Sequence, residues 1–297
     1  MSTDSLKRSR VALKVIPSIR ALEGDGFEIR RPFPTNWLDH VDPFLLLDHM
    51  GPFDLAPGQA KGASAHPHRG FETVTYVLDG EMQHKDSAGN SGRLIAGSVQ
   101  WMTAGRGIIH SELPGPTLLD HGGRLHGFQI WVNLPARDKM MAPRYQELPP
   151  ERIPQAETPD GSAKVVVIAG ESMGTHAVID TRTPIMFLHF TLQPGACLFQ
   201  AVPDEYNALA YVISGEGRFG SDERRASEGQ AVIFGSGDEV RLAAPEEASE
   251  PVSFLLLAGV PLNEPVARYG PFVMNTRDEL VQAVDDYNAG RFAPISH

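Results

Sequence analysis

The sequence predicts an all-β protein of two β-barrel domains followed by a short C-terminal helix. Three observations predict it. Short β-branched and aromatic runs alternate with Gly, Pro and Asp turn signals about every eight to twelve residues, the rhythm of a sandwich or barrel. The rhythm breaks over 136–163, where Pro143, Pro149, Pro150, Pro154 and Pro159 fall among charges, and then resumes. The 297 residues also exceed the roughly 100–200 usual for one domain. The division expected is 1–140 and 141–297, with 136–163 as the linker.

In chain order, residues 1–10 are polar, and Lys7-Arg8-Ser9-Arg10 reads as part of a solvated, mobile tail. Residues 11–16 look like a strand ended by Pro17. Strand and loop continue to Gly62, including the apolar run 44–47, which Asp48 ends. Residues 71–78 form a strand that meets a tight turn at Asp79-Gly80. Residues 82–84 begin the return strand, 86–92 turn again, and 97–102 and 127–134 are further strands. In the second half the strands are expected at 164–169, 185–192, 207–213, 230–234, 239–242 and 253–259. Gly215-Glu-Gly-Arg-Phe-Gly220 matches G-x-G-x-x-G, but a dinucleotide site needs a helix next. Polar residues and another strand follow, so a hairpin turn is expected. Thr276-Arg-Asp-Glu279 is a capping box that opens a helix with Leu280, Val281, Val284 and Tyr287 as its apolar stripe and Gly290 as its stop.

Composition excludes several functions. A net charge of -11 disfavours nucleic-acid binding, which needs clustered Lys and Arg on phosphates. The single cysteine, Cys197, rules out an intrachain disulfide framework and fits a reducing compartment. No charged-then-apolar signal opens the chain, and its apolar runs are too short to span a bilayer. A soluble, cytoplasmic protein is expected.

The chemistry concentrates in two short pairs. In His66-Pro67-His68, residues i and i+2 of a strand share a face, so two imidazoles about 6–7 Å apart can close on one ion. Alone, this pair is weak evidence. His110-Ser111-Glu112 repeats the geometry with one imidazole and one carboxylate, after the turn Gly105-Arg-Gly107. Two such pairs can converge from opposite walls of a small barrel. Three imidazoles and one carboxylate suit Fe(II), Mn, Co, Ni, Cu or Zn, and in an octahedron they leave two positions open. Glu72 has the same strand parity as His68 and could be a further ligand, a partner that orients an imidazole, or a wall carboxylate paired with Arg69. His84, His121 and His126 are expected on the surface or in the core. Trp101, Phe128 and Trp131 are expected in the core.

The run His66-Pro-His-Arg-Gly-Phe-Glu-Thr-Val-Thr-Tyr76, with Gln100-Trp-Met-Thr-Ala-Gly-Arg-Gly-Ile-Ile-His-Ser-Glu112, resembles the pirin family of the cupin superfamily. His126 to Pro135 is similar to its next block, and Pro261-Leu-Asn-Glu-Pro265 and Tyr269 to Thr276 to its C-terminal segment. The resemblance spans about 15 to 295. It implies a bicupin, two jelly-roll-type β-barrels packed together, with metal in the N-terminal barrel only. Matched residue by residue, the family's ligands fall on His66, His68, His110 and Glu112. Cupins in general place the carboxylate at the position of Glu72, so the resemblance decides for Glu112. The second half has only His176 and His189 before His297 and no His-x-His, which fits an apolar interior.

The resemblance also implies quercetin 2,3-dioxygenase chemistry, with Fe(II) the first choice of metal. A flavonol and O2 would be the substrates, and Glu112 would both hold the metal and take the 3-hydroxyl proton. The rival it implies is a metal- or redox-dependent regulator that binds a transcription factor or a metabolic enzyme. The acidic charge permits docking on a basic protein surface but argues against direct DNA contact.

Overall fold

The computed structural model describes residues 7–292. They form two compact units. One gathers Ile19–His40, Phe44–Arg152 and the chain from Leu262; the other gathers the chain up to Ser18, Val41–Pro43 and Ile153–Pro261. The chain ends therefore cross over. The strand Ala12–Pro17 pairs antiparallel with Gln230–Phe234 in the second unit, and the C-terminal helix belongs to the first.

Both units follow one plan, a seven-stranded antiparallel sheet with a four-stranded one. In the first unit the larger sheet runs Arg144–Leu148, Val99–Thr103, Phe71–Asp79, Gly123–Asn133, Phe44–Leu55, Phe27–Phe33, Ile19–Glu23. The smaller runs Ala63–His68, Ile108–Pro114, Glu81–Asp86, Ser91–Ile95. The second unit has seven strands, from Ala12–Pro17 at one edge to Gln155–Glu157 at the other, and four built on Cys197–Ala201 and Glu239–Ala243. The architecture is mostly β, as predicted, and takes the form of paired sheets.

The second unit is filled by apolar side chains from both its sheets. Phe190 stacks on Phe254 at 5.5 Å, and Phe219 meets Phe254 edge-on at 5.1 Å. Val240 and Leu242 of the small sheet join Leu188, Val212 and Leu256 of the large one. The G-x-G-x-x-G run is a hairpin: Glu216–Phe219 pairs with Arg224–Ser227, from Glu216 opposite Ser227 to Phe219 opposite Arg224.

Three local expectations are corrected. Arg10 is no mobile residue: it is 1% exposed, and its guanidinium donates to the carbonyls of Gly237, Tyr206, Gly235 and Pro203. Arg8 pairs with Asp204 at 2.8 Å; residues 1–6 of the expected tail lie outside the described residues. Asp48 ends the apolar run but not the strand, which continues to Leu55 because a partner on the neighbouring strand neutralises the buried carboxylate. The proline-rich stretch contributes two strands, Arg144–Leu148 on Val99–Thr103 and Gln155–Glu157 on Ala163–Ala169. In the helix Arg277–Asn288 the Thr276–Glu279 capping box forms, but the buried face is Leu280 and Ala283, and Val281 is exposed. Among the described residues, no helix is long and apolar enough to cross a membrane.

Candidate metal centre

The strands Ala63–His68 and Ile108–Pro114 are antiparallel neighbours in one sheet, so the two pairs meet side by side and not from opposite walls. His110 lies opposite His66 and Ile108 opposite His68, while a register shift after His110 sets Glu112 opposite Ala63. The shared face of a strand thus presents His66 and His68 together, and the partner strand brings His110 between them. The sharp exit from His68 needs Gly70, whose φ is 90°; a Cβ there would collide with the Val273 carbonyl.

Three ring nitrogens converge. His66 Nε2 is 3.0 Å from His68 Nε2 and 3.0 Å from His110 Nε2. His66 Nδ1 donates to the Ser64 carbonyl at 2.8 Å, which turns its Nε2 toward the other two rings. Packing orients His68, whose ring meets Phe71 and Trp131 edge-on at 5.2 and 5.4 Å. His68 and His110 are 3% and 0% exposed. Burial, then the neighbouring imidazoles, holds both well below the usual histidine range, so both are neutral and able to ligate. The donor set fits one divalent ion: two nitrogens held at right angles, each ~2.1 Å from a metal, are ~3.0 Å apart.

Glu112 stands beside the triad. Its Oε2 is 3.8 Å from His110 Nε2, and its Oε1 accepts from the Thr75 hydroxyl at 2.7 Å. Thr75 Oγ1 also lies 2.9 Å from the Gln129 amide oxygen. Thr75 and Gln129 carry no motif of their own, and only the pairing of Phe71–Asp79 with Gly123–Asn133 reveals them. Glu72 goes elsewhere. It lies on the other sheet, across the turn at Gly70, so strand parity with His68 does not carry over; its Oε1 accepts from Thr103 at 2.5 Å. Its expected partner Arg69 instead bonds the Arg106 carbonyl and Asp286. His84 is buried on Glu147 at 3.0 Å, His126 is buried against His49, and His121 is exposed.

The triad opens on a cavity of about 590 Å³. Phe27, Leu46, Met50, Met82 and Trp131 supply apolar wall, so Trp131 is a wall residue and not core. Trp101 and Phe128 are fully buried. Sequence reading also missed the charged wall. Arg31 donates to both Asp48 oxygens at 2.6 Å and to Glu23 at 2.5 Å. Burial pushes Asp48 up to about 6, against the pull of Arg31.

Paired sheets in two units, with a histidine triad, among the described residues, in the first alone, define a two-domain cupin. Two family models, Pirin over residues 26–132 and the Pirin C-terminal cupin domain over 187–293, match the chain. A pirin-like protein of Solanum lycopersicum is 45% identical over 98% of this chain and 96% of its own. The crystal structure of a quercetin 2,3-dioxygenase from Acinetobacter baumannii superposes with TM-score 0.90 at 36% identity, covering 97% of this chain and 99% of that one. The bacterial pirin YhhW of Escherichia coli, crystallised with nickel(II), shares the fold at 20% identity, with TM-score 0.62 over 84% of this chain and 98% of that one. The chain belongs to the pirin family.

Proposed function

We propose that the protein is a metal-dependent dioxygenase that opens a flavonol ring with O2 and releases carbon monoxide. The observation that carries the reading is the convergence of three imidazoles, with a carboxylate beside them, at the edge of an open cavity. The similarity to the Acinetobacter baumannii quercetin 2,3-dioxygenase supports it.

His66, His68, His110 and Glu112 would hold one divalent ion; this nitrogen and oxygen set accepts Fe(II), our first choice for O2 chemistry, and equally Mn, Co, Ni, Cu or Zn. The bound ion supplies Lewis-acid charge that favours the deprotonated flavonol. Glu112 accepts the 3-hydroxyl proton, and the Thr75 hydroxyl holds its Oε1 so that Oε2 faces the triad. The apolar wall around Trp131 packs the flavonol rings. Dioxygen attacks the activated ring, which opens as carbon monoxide leaves. A cytoplasmic setting goes with this reading, since it keeps the exposed thiol of Cys197 reduced.

The test is to purify the protein without added metal, reload it anaerobically with each ion, and follow quercetin loss, oxygen uptake and carbon monoxide release. Stoichiometric metal with carbon monoxide produced, both lost in His66→Ala, is the expected result. Glu112→Gln should keep much of the metal and lose turnover. One bound ion with no turnover under any metal overturns the dioxygenase reading.

A second reading, a metal-dependent binding partner of another protein, draws on the exposed side chains of Tyr269 and Val281 along a groove of about 430 Å³ beside the C-terminal helix. It predicts partner capture that changes with metal oxidation state, whatever the flavonol turnover.

A further inference from the structure

The cavity wall carries two guanidinium groups with different circumstances. Arg31 is engaged, with both Asp48 oxygens and Glu23 on it. Arg268 also lines the cavity. Among the described residues it forms no ion pair within 4.0 Å. Asp48, Asp39 and Glu23 are near enough to act on it through space, but Asp48 and Glu23 are bound to Arg31. Its defined neighbour is an aromatic face: the guanidinium carbon lies 4.7 Å from the Trp131 ring centre. A guanidinium laid on an indole keeps its N–H edge free for a planar anion.

Trp131 ties this group to the metal centre. Its ring lies 5.4 Å from the His68 ring and 4.3 Å from Phe71, which fixes its plane. Only one indole therefore separates the free cation from the histidine triad. The backbone that carries Arg268 is also fixed. Its strand Ala267–Tyr269 pairs with Phe272–Met274, and Lys139 donates to the Val273 carbonyl at 3.2 Å.

We propose that Arg268 and Trp131 form an anion-recognising subsite of the cavity, and that the favoured ligand is a planar aromatic acid. Its ring system packs on the apolar wall of Leu46, Met50 and Met82, its chelating oxygens face the triad and Glu112, and a second, anionic substituent meets the Arg268 guanidinium that Trp131 holds in place. The inference rests on the reading of the triad as the reacting end. It adds that a neutral flavonol leaves one recognition element unused.

The test measures affinity and not turnover. The protein is loaded with Co(II) and kept anaerobic, and Trp fluorescence quenching is titrated with quercetin and with quercetin bearing a ring sulfonate. Trp131→Phe identifies the signal from Trp131 against those of Trp37 and Trp101. Arg268 is exposed, so a charge-assisted pair there should make the sulfonate bind about fivefold tighter than quercetin. Arg268→Gln should bring the two affinities to within about twofold, and Arg268→Lys should restore part of the preference. The proposal falls if the wild type shows no preference, or if Arg268→Gln keeps it. Collapse of the preference in Arg268→Gln supports the subsite whether or not quercetin is turned over, so failure of the dioxygenase reading would be seen separately.

Discussion

Asp286→Ala should loosen the metal centre from the far side of the C-terminal helix. Arg69, the residue after His68, is 4% exposed and donates to Asp286 Oδ2 at 2.8 Å and to the Arg106 carbonyl at 2.6 Å. Its guanidinium also lies over Phe292 at 4.7 Å. Its backbone carbonyl accepts from Val273 at 3.0 Å. Removing the carboxylate strands a buried cation, which typically costs about 3–5 kcal/mol. Asp286 is 13% exposed at the side chain, so water offsets part of the loss, and about 3 kcal/mol is expected. The strand Ala63–His68 should then fray at its His68 end, and metal affinity should fall about tenfold or more. Chelator competition on the loaded protein measures the second effect, and urea unfolding of the metal-free protein the first. Arg8→Ala, which breaks an exposed pair with Asp204, is the control and should change neither. Wild-type metal affinity in a destabilised Asp286→Ala protein would refute the coupling of this helix to His68.

Thr75→Val should leave the fold intact, yet remove the hydrogen bond to Glu112 Oε1; a bond to a charged group contributes about 1.5–3 kcal/mol, so kcat for quercetin should drop at least about tenfold while bound metal stays near one per chain. Lys139 is 1% exposed, and burial lowers it from 10.5 to about 8. The unfolded chain therefore holds the extra proton between about pH 8 and 10.5, and stability should rise with pH across that window by up to roughly 3 kcal/mol; denaturant midpoints of wild type minus Lys139→Met should show that rise, and a flat difference would contradict it. Gly62→Ala places a Cβ against the Glu112 carbonyl; it should weaken metal binding in a chelator assay, whereas Gly89→Ala, in open space despite its φ of 90°, should lower only stability. Glu72→Gln should retain bound metal, because its carboxylate is held by Thr103; a loss as large as that of His66→Ala would return Glu72 to the ligand set.

The legible part of the site was the part with short-range periodicity. The two i, i+2 pairs needed only strand parity, and they lie on directly paired strands, so His66, His68 and His110 converge. Parity failed at Glu72 because it holds only within one uninterrupted strand. Between His68 and Phe71 the chain turns through Gly70 and changes sheets. Residues joined through sheet pairing had no sequence signal: Thr75 and Gln129 are 54 positions apart, and Arg31 reaches Asp48 only because Phe27–Phe33 lies beside Phe44–Leu55.

The C-terminal segment shows the same limit at larger scale. By family resemblance it goes with the C-terminal cupin domain, while in space it gathers with the unit that carries the histidine strand. Three separate contacts fasten it there: Arg69 on Asp286, Lys139 on the Val273 carbonyl, and the backbone bridge between Arg69 and Phe272. Each engages a residue within a few positions of His68 or a residue that holds one. A segment bound only for stability would have no reason to bury two cations there, since a buried ion pair is often no more stabilising than apolar packing of equal volume. What charged groups provide and apolar ones do not is a fixed direction. The buried Arg69 and Lys139 therefore act as orienting struts for the His68 turn, and that is why the Asp286 experiment is read by metal affinity as well as by unfolding.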